Sequence, residues 1–351
     1  MRKHEMIVGL LPTHRDVFDS AVAQVVKRAI EAQLRSWGVR FVNIDWLNDE
    51  GLIHDGADVA AVARHFRKAS VDCVFAPHCN FGTEHAVAQV AREVRKPLLL
   101  WGPRDNAPAP DGKRDRDTQC GLFATSKVLR RLSVPFTYVI NSRVDSPVFE
   151  RGFKDFLGVA SAANAFLGAR IGQVDTRPAP FWTVMVNEGE LLERWGVQVV
   201  PITLVDVERE VKRRVAAPDA TLKEAVAKMR AAADLSRLAE DAVLRLAALK
   251  VTLGAWAERE RLDALAVQCW DAMQQAVGLY PCFVHAVLTD EGLPVACETD
   301  IHGALTSILL QAAARYTAPT FFADLTVRHP EDENAELLWH CGSFPPCLAD
   351  A

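Results

Sequence analysis

Short β-branched or apolar runs alternate with longer stretches of helical period almost from the start of the chain, and this rhythm restricts the fold more than any other feature. Met6 to Leu11 reads as a strand, Asp16 to Trp37 as a helix stopped by Gly38, and Val39 to Asp45 as the next strand. Ala57 to Ser70 is helical, Val71 to Ala76 extended, Thr83 to Arg95 helical, Pro97 to Trp101 extended, and Phe136 to Asn141 a fifth strand. Strands separated by helix-length segments pair in parallel through crossover helices, which predicts a doubly wound α/β domain. Ligands in such sheets sit beyond the carboxyl ends of the strands, here the loops at Pro12 to Arg15, Pro77 to Gly82 and Gly102 to Asp117.

Pro147 to Ala169 reads as a closing helix, with Ser146 as its cap and Pro147 in the first turn, where a missing N–H costs nothing. Gly172 and two prolines before residue 181 then suggest a break. A second alternation follows: strands at Trp182 to Asn187 and Val197 to Leu204, a long helical block from Leu222 to Leu262, and strands at Asp263 to Cys269, Cys282 to Leu288 and Val295 to Cys297. The block reads as a covering helix pair. The predicted domains are 1–170 and 171–313, each a doubly wound parallel sheet, with 314–351 as the beginning of a β-rich domain whose apolar strands are exposed or paired with another chain. At 351 residues the chain is long enough for two cores.

A net charge of −5, from 40 Lys+Arg against 45 Asp+Glu with the signs interleaved, offers no basic stripe for a phosphate backbone and argues against nucleic acid. No apolar run reaches the ~18 residues of a membrane span, and the N-terminus lacks the pattern of a secretion signal, so a cytoplasmic protein is expected. The cysteines at 73, 79, 120, 269, 282, 297, 341 and 347 include no CxxC pair and read as reduced thiols. No GxGxxG follows a strand, and there is no P-loop or GxSxG, which lowers the case for nucleotide cofactors and serine chemistry.

Chemistry-bearing residues concentrate toward the C-terminus. In Val295-Ala296-Cys297-Glu298-Thr299-Asp300-Ile301-His302, a continuing strand would turn Glu298, Asp300 and His302 to one side as metal ligands. The apolar spacing of Ile301, Leu305, Ile308 and Ala312 offers a second reading, with Asp300 as a helix cap and His302 in the first turn. Glu298 is the stronger site candidate under either. Asp324 interrupts the strand-like run Thr320 to Val327, where a carboxylate must pair, hydrogen-bond or ligate a cation. His340 ends the apolar run Leu337 to Trp339.

These residues resemble the L-fucose isomerase and L-arabinose isomerase family. The resemblance is carried by VGLLPTHRD, NFGTEHAVA, LLLWGP with DTQCGLFATS, and above all VACETDIHGAL, TFFADLTV and LLWHCGSFP. It implies an aldose–ketose isomerase using Mn²⁺, or Mg²⁺ or another divalent cation, on a monosaccharide. Matched by motif, the metal ligands are Glu298, Asp324 and His340, with the two carboxylates also catalytic. Arg15 and Trp101 match pocket residues that the family supplies from an adjacent subunit, which implies a homo-oligomer, a trimer or hexamer. Family members continue into a C-terminal domain bearing a further ligand His, so the resemblance implies that a chain ending at Ala351 has an incomplete site. The competing expectation is a non-catalytic cytoplasmic sugar-binding protein, since two doubly wound domains also describe small-molecule receptors.

Overall fold

The computed structural model describes residues 5–349. They form two compact units that divide after Asn164. Among the described residues no helix is long and apolar enough to cross a membrane.

The first unit runs β1 (Ile7–Leu10), α1 (Ser20–Ser36), β2 (Arg40–Val42), α2 (Val59–Lys68), β3 (Cys73–Pro77), α3 (Glu84–Val94), β4 (Leu98–Trp101), α4 (Thr118–Arg131), β5 (Thr137–Tyr138) and α5 (Pro147–Phe166). Its five strands are all parallel, in the order β2-β1-β3-β4-β5. Val62, Phe66, Val87, Val90 and Leu129, from α2, α3 and α4, pack on one face. Ile30 and Leu34 from α1 and the phenylalanines 149, 153 and 156 from α5 cover the other. Every side chain of β3 and β4 is buried, so these strands read in sequence as unbroken apolar runs.

The second unit repeats the theme: β6 (Arg170–Val174), α6 (Glu188–Trp195), β7 (Gln198–Ile202), α7 (Leu204–Ala216), α8 (Ala220–Ala232), α9 (Glu240–Glu260), β8 (Ala264–Val267), α10 (Gln274–Val277), α11 (Cys282–Asp290), β9 (Val295–Ala296) and α12 (Ile301–Ala313). Its parallel sheet has the order β7-β6-β8-β9. In β8, Leu265 and Val267 face the core under α7, α8 and α9, while Ala264 and Ala266 face α12. Residues after 313 belong with this unit and contribute an antiparallel hairpin, β10 (Asp324–Arg328) and β11 (Glu336–Trp339). Its side chains are exposed, Leu325 and Trp339 among them.

Three expectations are corrected. Arg170 to Val174, read as a break, is a central strand paired on both sides. Gly172 sits there because a Cβ would come within 2.5–2.8 Å of Leu262, Leu265 and Trp256, so the glycine admits α9 rather than interrupting the strand. Cys282 to Leu288 is helical and buried on nearly every face, and a short all-apolar run carries no period that separates helix from strand. Trp182 to Asn187 forms a short turn at Trp182–Val184 with Trp182 exposed, because no neighbouring strand pairs with it.

Candidate active site

The second unit's chemistry gathers beyond the carboxyl ends of β6, β8 and β9, where an open parallel sheet places its ligands. β8 runs out into Gln268 and Cys269, and β9 into Cys297, Glu298 and Thr299. The turn between β9 and α12 is held by Thr299 N–H donating to the Val267 carbonyl at 3.1 Å and Asp300 N–H to the Cys297 carbonyl at 3.0 Å. Within it Glu298 and Thr299 both lie in the left-handed region, at φ 54° and 58°. Asp300 caps α12, its carboxylate accepting from the Gly303 amide at 2.9 Å. His302 points into solvent from the first turn of that helix. The cap reading of this segment is therefore the one the structure adopts.

Glu298 is 16% exposed and His340 5%, and Glu298 Oε2 lies 3.9 Å from His340 Nε2. Asp324 pairs across the hairpin with Trp339, the residue before His340. Glu298, Asp324 and His340 all line a cavity of about 330 Å³. Burial raises the Glu298 pKa; the Cys269 thiol opposes this by donating to Oε1 at 3.4 Å, and the negative charge of Asp324 adds to the rise. Glu298, Asp324 and His340 thus line one cavity, where Glu298 and His340 come close to each other; among the described residues the three together are not a group whose ligand atoms all lie within 4.8 Å of one another, and Glu298 instead groups with Cys269 and Cys297.

Thiols frame this centre. Cys341 Sγ lies 3.3 Å from His340 Nδ1 and 3.3 Å from Cys282 Sγ, and burial pushes the Cys282 thiol up to about 12. Cys269 Sγ also accepts from the Glu298 amide at 3.4 Å. Ligand atoms of Cys269, Cys297 and Glu298 fall within 4.8 Å of one another. Sequence reasoning read Cys269 as an ordinary buried thiol; its position immediately past a buried strand was the available signal. Trp270 and Tyr280, at 56% and 71% exposure, also line the cavity and were not anticipated.

The donor set suits a divalent cation. The 3.9 Å between Glu298 Oε2 and His340 Nε2 is too long for a hydrogen bond, yet within reach of two ligands each about 2.1 Å from one ion. A carboxylate and an imidazole are donors that a divalent cation accepts.

The two residues expected from the first unit have different fates. Arg15 is one-third exposed, pairs with Glu84 Oε2 at 2.5 Å and lies 4.2 Å over the Phe81 ring. Trp101 is fully buried, donates from Nε1 to Ser142 Oγ at 3.0 Å and stacks on Phe149 at 3.9 Å. It is a core residue of the first unit and presents no face to a sugar.

Residues 9–167 match the model of the fucose/sulfoquinovose isomerase N-terminal domain. Together with the relatives below, this match makes the chain similar to the fucose isomerase-like proteins, a class of sugar-isomerising enzymes. The relatives themselves carry the name sulfoquinovose isomerase. One from Priestia aryabhattai is 24% identical over 349 residues, covering 97% of this chain and 73% of its own length. Another, from Alkalicoccus urumqiensis, is 29% identical over 254 residues, covering 72% of this chain and 55% of its own length. A third, from Clostridium, is 28% identical over 284 residues.

Proposed function

We propose that the chain is a metal-dependent aldose–ketose isomerase that moves a proton between C1 and C2 of a free sugar through an enediol. The observation that carries this reading is the pairing of Glu298 with His340 at 3.9 Å on a cavity that Asp324 also lines. Glu298, Asp324 and His340 would hold the ion. When bound, a divalent cation supplies Lewis-acid polarisation of the sugar's carbonyl and neighbouring hydroxyl oxygens.

The remaining work falls to the chain's own groups. One carboxylate takes the proton from the carbon next to the carbonyl and returns it to the adjacent carbon, while the other handles the proton on oxygen. That division needs two carboxylates in unlike environments, and Glu298, largely buried beside a thiol, differs from Asp324 on an exposed strand. Trp270 and Tyr280 offer apolar ring faces to the C–H surface of a pyranose. Sulfoquinovose, named in the relatives, is the first sugar to test. Arg15, one-third exposed, is the group of the first unit we assign to substrate, within a closed homo-oligomer such as a trimer or hexamer.

The test is proton exchange and aldose–ketose interconversion followed by NMR, in metal-stripped protein and after Mn²⁺ is restored. Activity should return with Mn²⁺, and Glu298→Gln should lower kcat by at least about a thousandfold while the far-UV spectrum is unchanged. Interconversion that persists undiminished in Glu298→Gln refutes the assignment.

A further inference from the structure

The first unit carries a second cluster of metal-competent groups that the isomerase reading does not use. Thr13 is bridged in parallel to Ile53 and to His78, so the loop leaving β1 runs beside the segment 52–54. His14 N–H donates to the Ile53 carbonyl at 3.3 Å, and the His14 carbonyl accepts from Thr83 Oγ1 at 2.6 Å. With both backbone groups tied down, the side chain of His14 is fixed next to that of His54. The two rings meet edge to face at 4.7 Å.

His14 is only 3% exposed, yet neither ring nitrogen has a hydrogen-bond partner. A buried imidazole in that condition is costly unless something else uses its lone pair. Its Nε2 lies 3.1 Å from Glu50 Oε2, without the alignment of a hydrogen bond, and 3.7 Å from Asp16 Oδ1. His54 Nδ1 stands 3.4 Å from the same Asp16 oxygen. Ligand atoms of His14, Asp16 and His54 all fall within 4.8 Å of one another. Glu50 is partly committed elsewhere, accepting from Ser20 Oγ.

We propose that His14, Asp16 and His54 form a binding site for a divalent transition metal of the zinc type. Two imidazoles and a carboxylate are a donor set that Zn²⁺ accepts readily, and the solvent-exposed Asp16 side leaves room for water as a further ligand. Burial lowers the His14 pKa and so favours the neutral ring that ligation requires. A bound ion would pin the loop that carries Arg15, ordering it through residues on either side.

The test uses the full chain with Glu298→Gln, Asp324→Asn and His340→Gln, which removes the three ligands proposed for the site in the second unit. The chelator-stripped protein, free of any histidine tag, is titrated with Zn²⁺ by calorimetry, and the loaded sample is examined by zinc X-ray absorption. One ion per chain is expected, in a nitrogen and oxygen shell with imidazole scattering. Adding Asp16→Ala and His54→Ala, both at accessible positions, should weaken binding at least tenfold, while buried His14 is left in place. Absence of binding in the first background, unchanged affinity after the second pair, or a sulfur-dominated shell each overturns the proposal.

Discussion

Trp101→Phe separates a packing role from a binding role for this residue. The substitution removes the Nε1 donor that Ser142 Oγ accepts at 3.0 Å, in a site where Ser142 is itself buried. Leaving that hydroxyl without its partner costs about 1–3 kcal/mol. The smaller ring also leaves a void of roughly 40 Å³, worth about 1 kcal/mol at ~24 cal/mol per Å³. The sum is about 2–4 kcal/mol, and at roughly 2–4 °C per kcal/mol for a unit of this size the first unit should melt on the order of 10 °C lower. Thermal unfolding of the full chain, read with hydrogen exchange on peptides covering Leu98–Trp101, measures this directly. Unfolding within a degree of the parent together with a tenfold loss of sugar affinity would refute the core assignment.

Two further perturbations test neighbouring parts of the structure. Asp300→Ala removes the cap of α12 and should cost about 1 kcal/mol in urea unfolding while leaving metal affinity unaltered; a large loss of metal binding would show that Asp300 is a ligand. His78 is fully buried, bonded to Thr125 Oγ1 at 2.8 Å, and burial lowers its pKa to about 4. Between about 4 and the unperturbed 6.5 the unfolded chain therefore holds a proton that the folded chain does not. Stability should rise with pH across that window and be lost on acidification, by something on the order of 3 kcal/mol from this residue. Urea midpoints at pH 7 and pH 4.5 should differ less in His78→Gln than in the parent, and an equal difference in both would exclude His78 as a source.

The sequence made the parallel sheets legible because strands buried on both faces are continuous apolar runs, and the helices between them keep a visible 3.6-residue period. It misled where one residue type serves two purposes. Gly172 looked like a break because glycine usually is one; only the close approach of Trp256 and Leu262 shows that it makes room for a helix. Cys282 to Leu288 had no polar stripe to reveal its helix because its surroundings are apolar on almost every side. Glu298, Asp324 and His340 stand out in the sequence as polar residues in or at the ends of apolar runs, and all three line one cavity. Cys269 was not, since a thiol at a strand end looks the same whether it packs or faces a carboxylate. The meeting of His14 with His54 depends on the pairing of Thr13 with Ile53, a register that no local pattern encodes.

The left-handed backbone at Glu298 and Thr299 sets the fold against the chemistry. A side chain at such a φ costs about 1 kcal/mol or more that glycine does not, and at position 299 the side chain is β-branched, the least tolerant kind. Glycine at 298 would relieve both that strain and the desolvation of a carboxylate, so selection for thermal resistance alone should drift toward it and discard the carboxylate proposed above to act in turnover. Enrichment of glycine at 298 under heat, and its disappearance when growth depends on sugar conversion, would mark this turn as a place where the enzyme holds a less stable residue for the sake of its reaction.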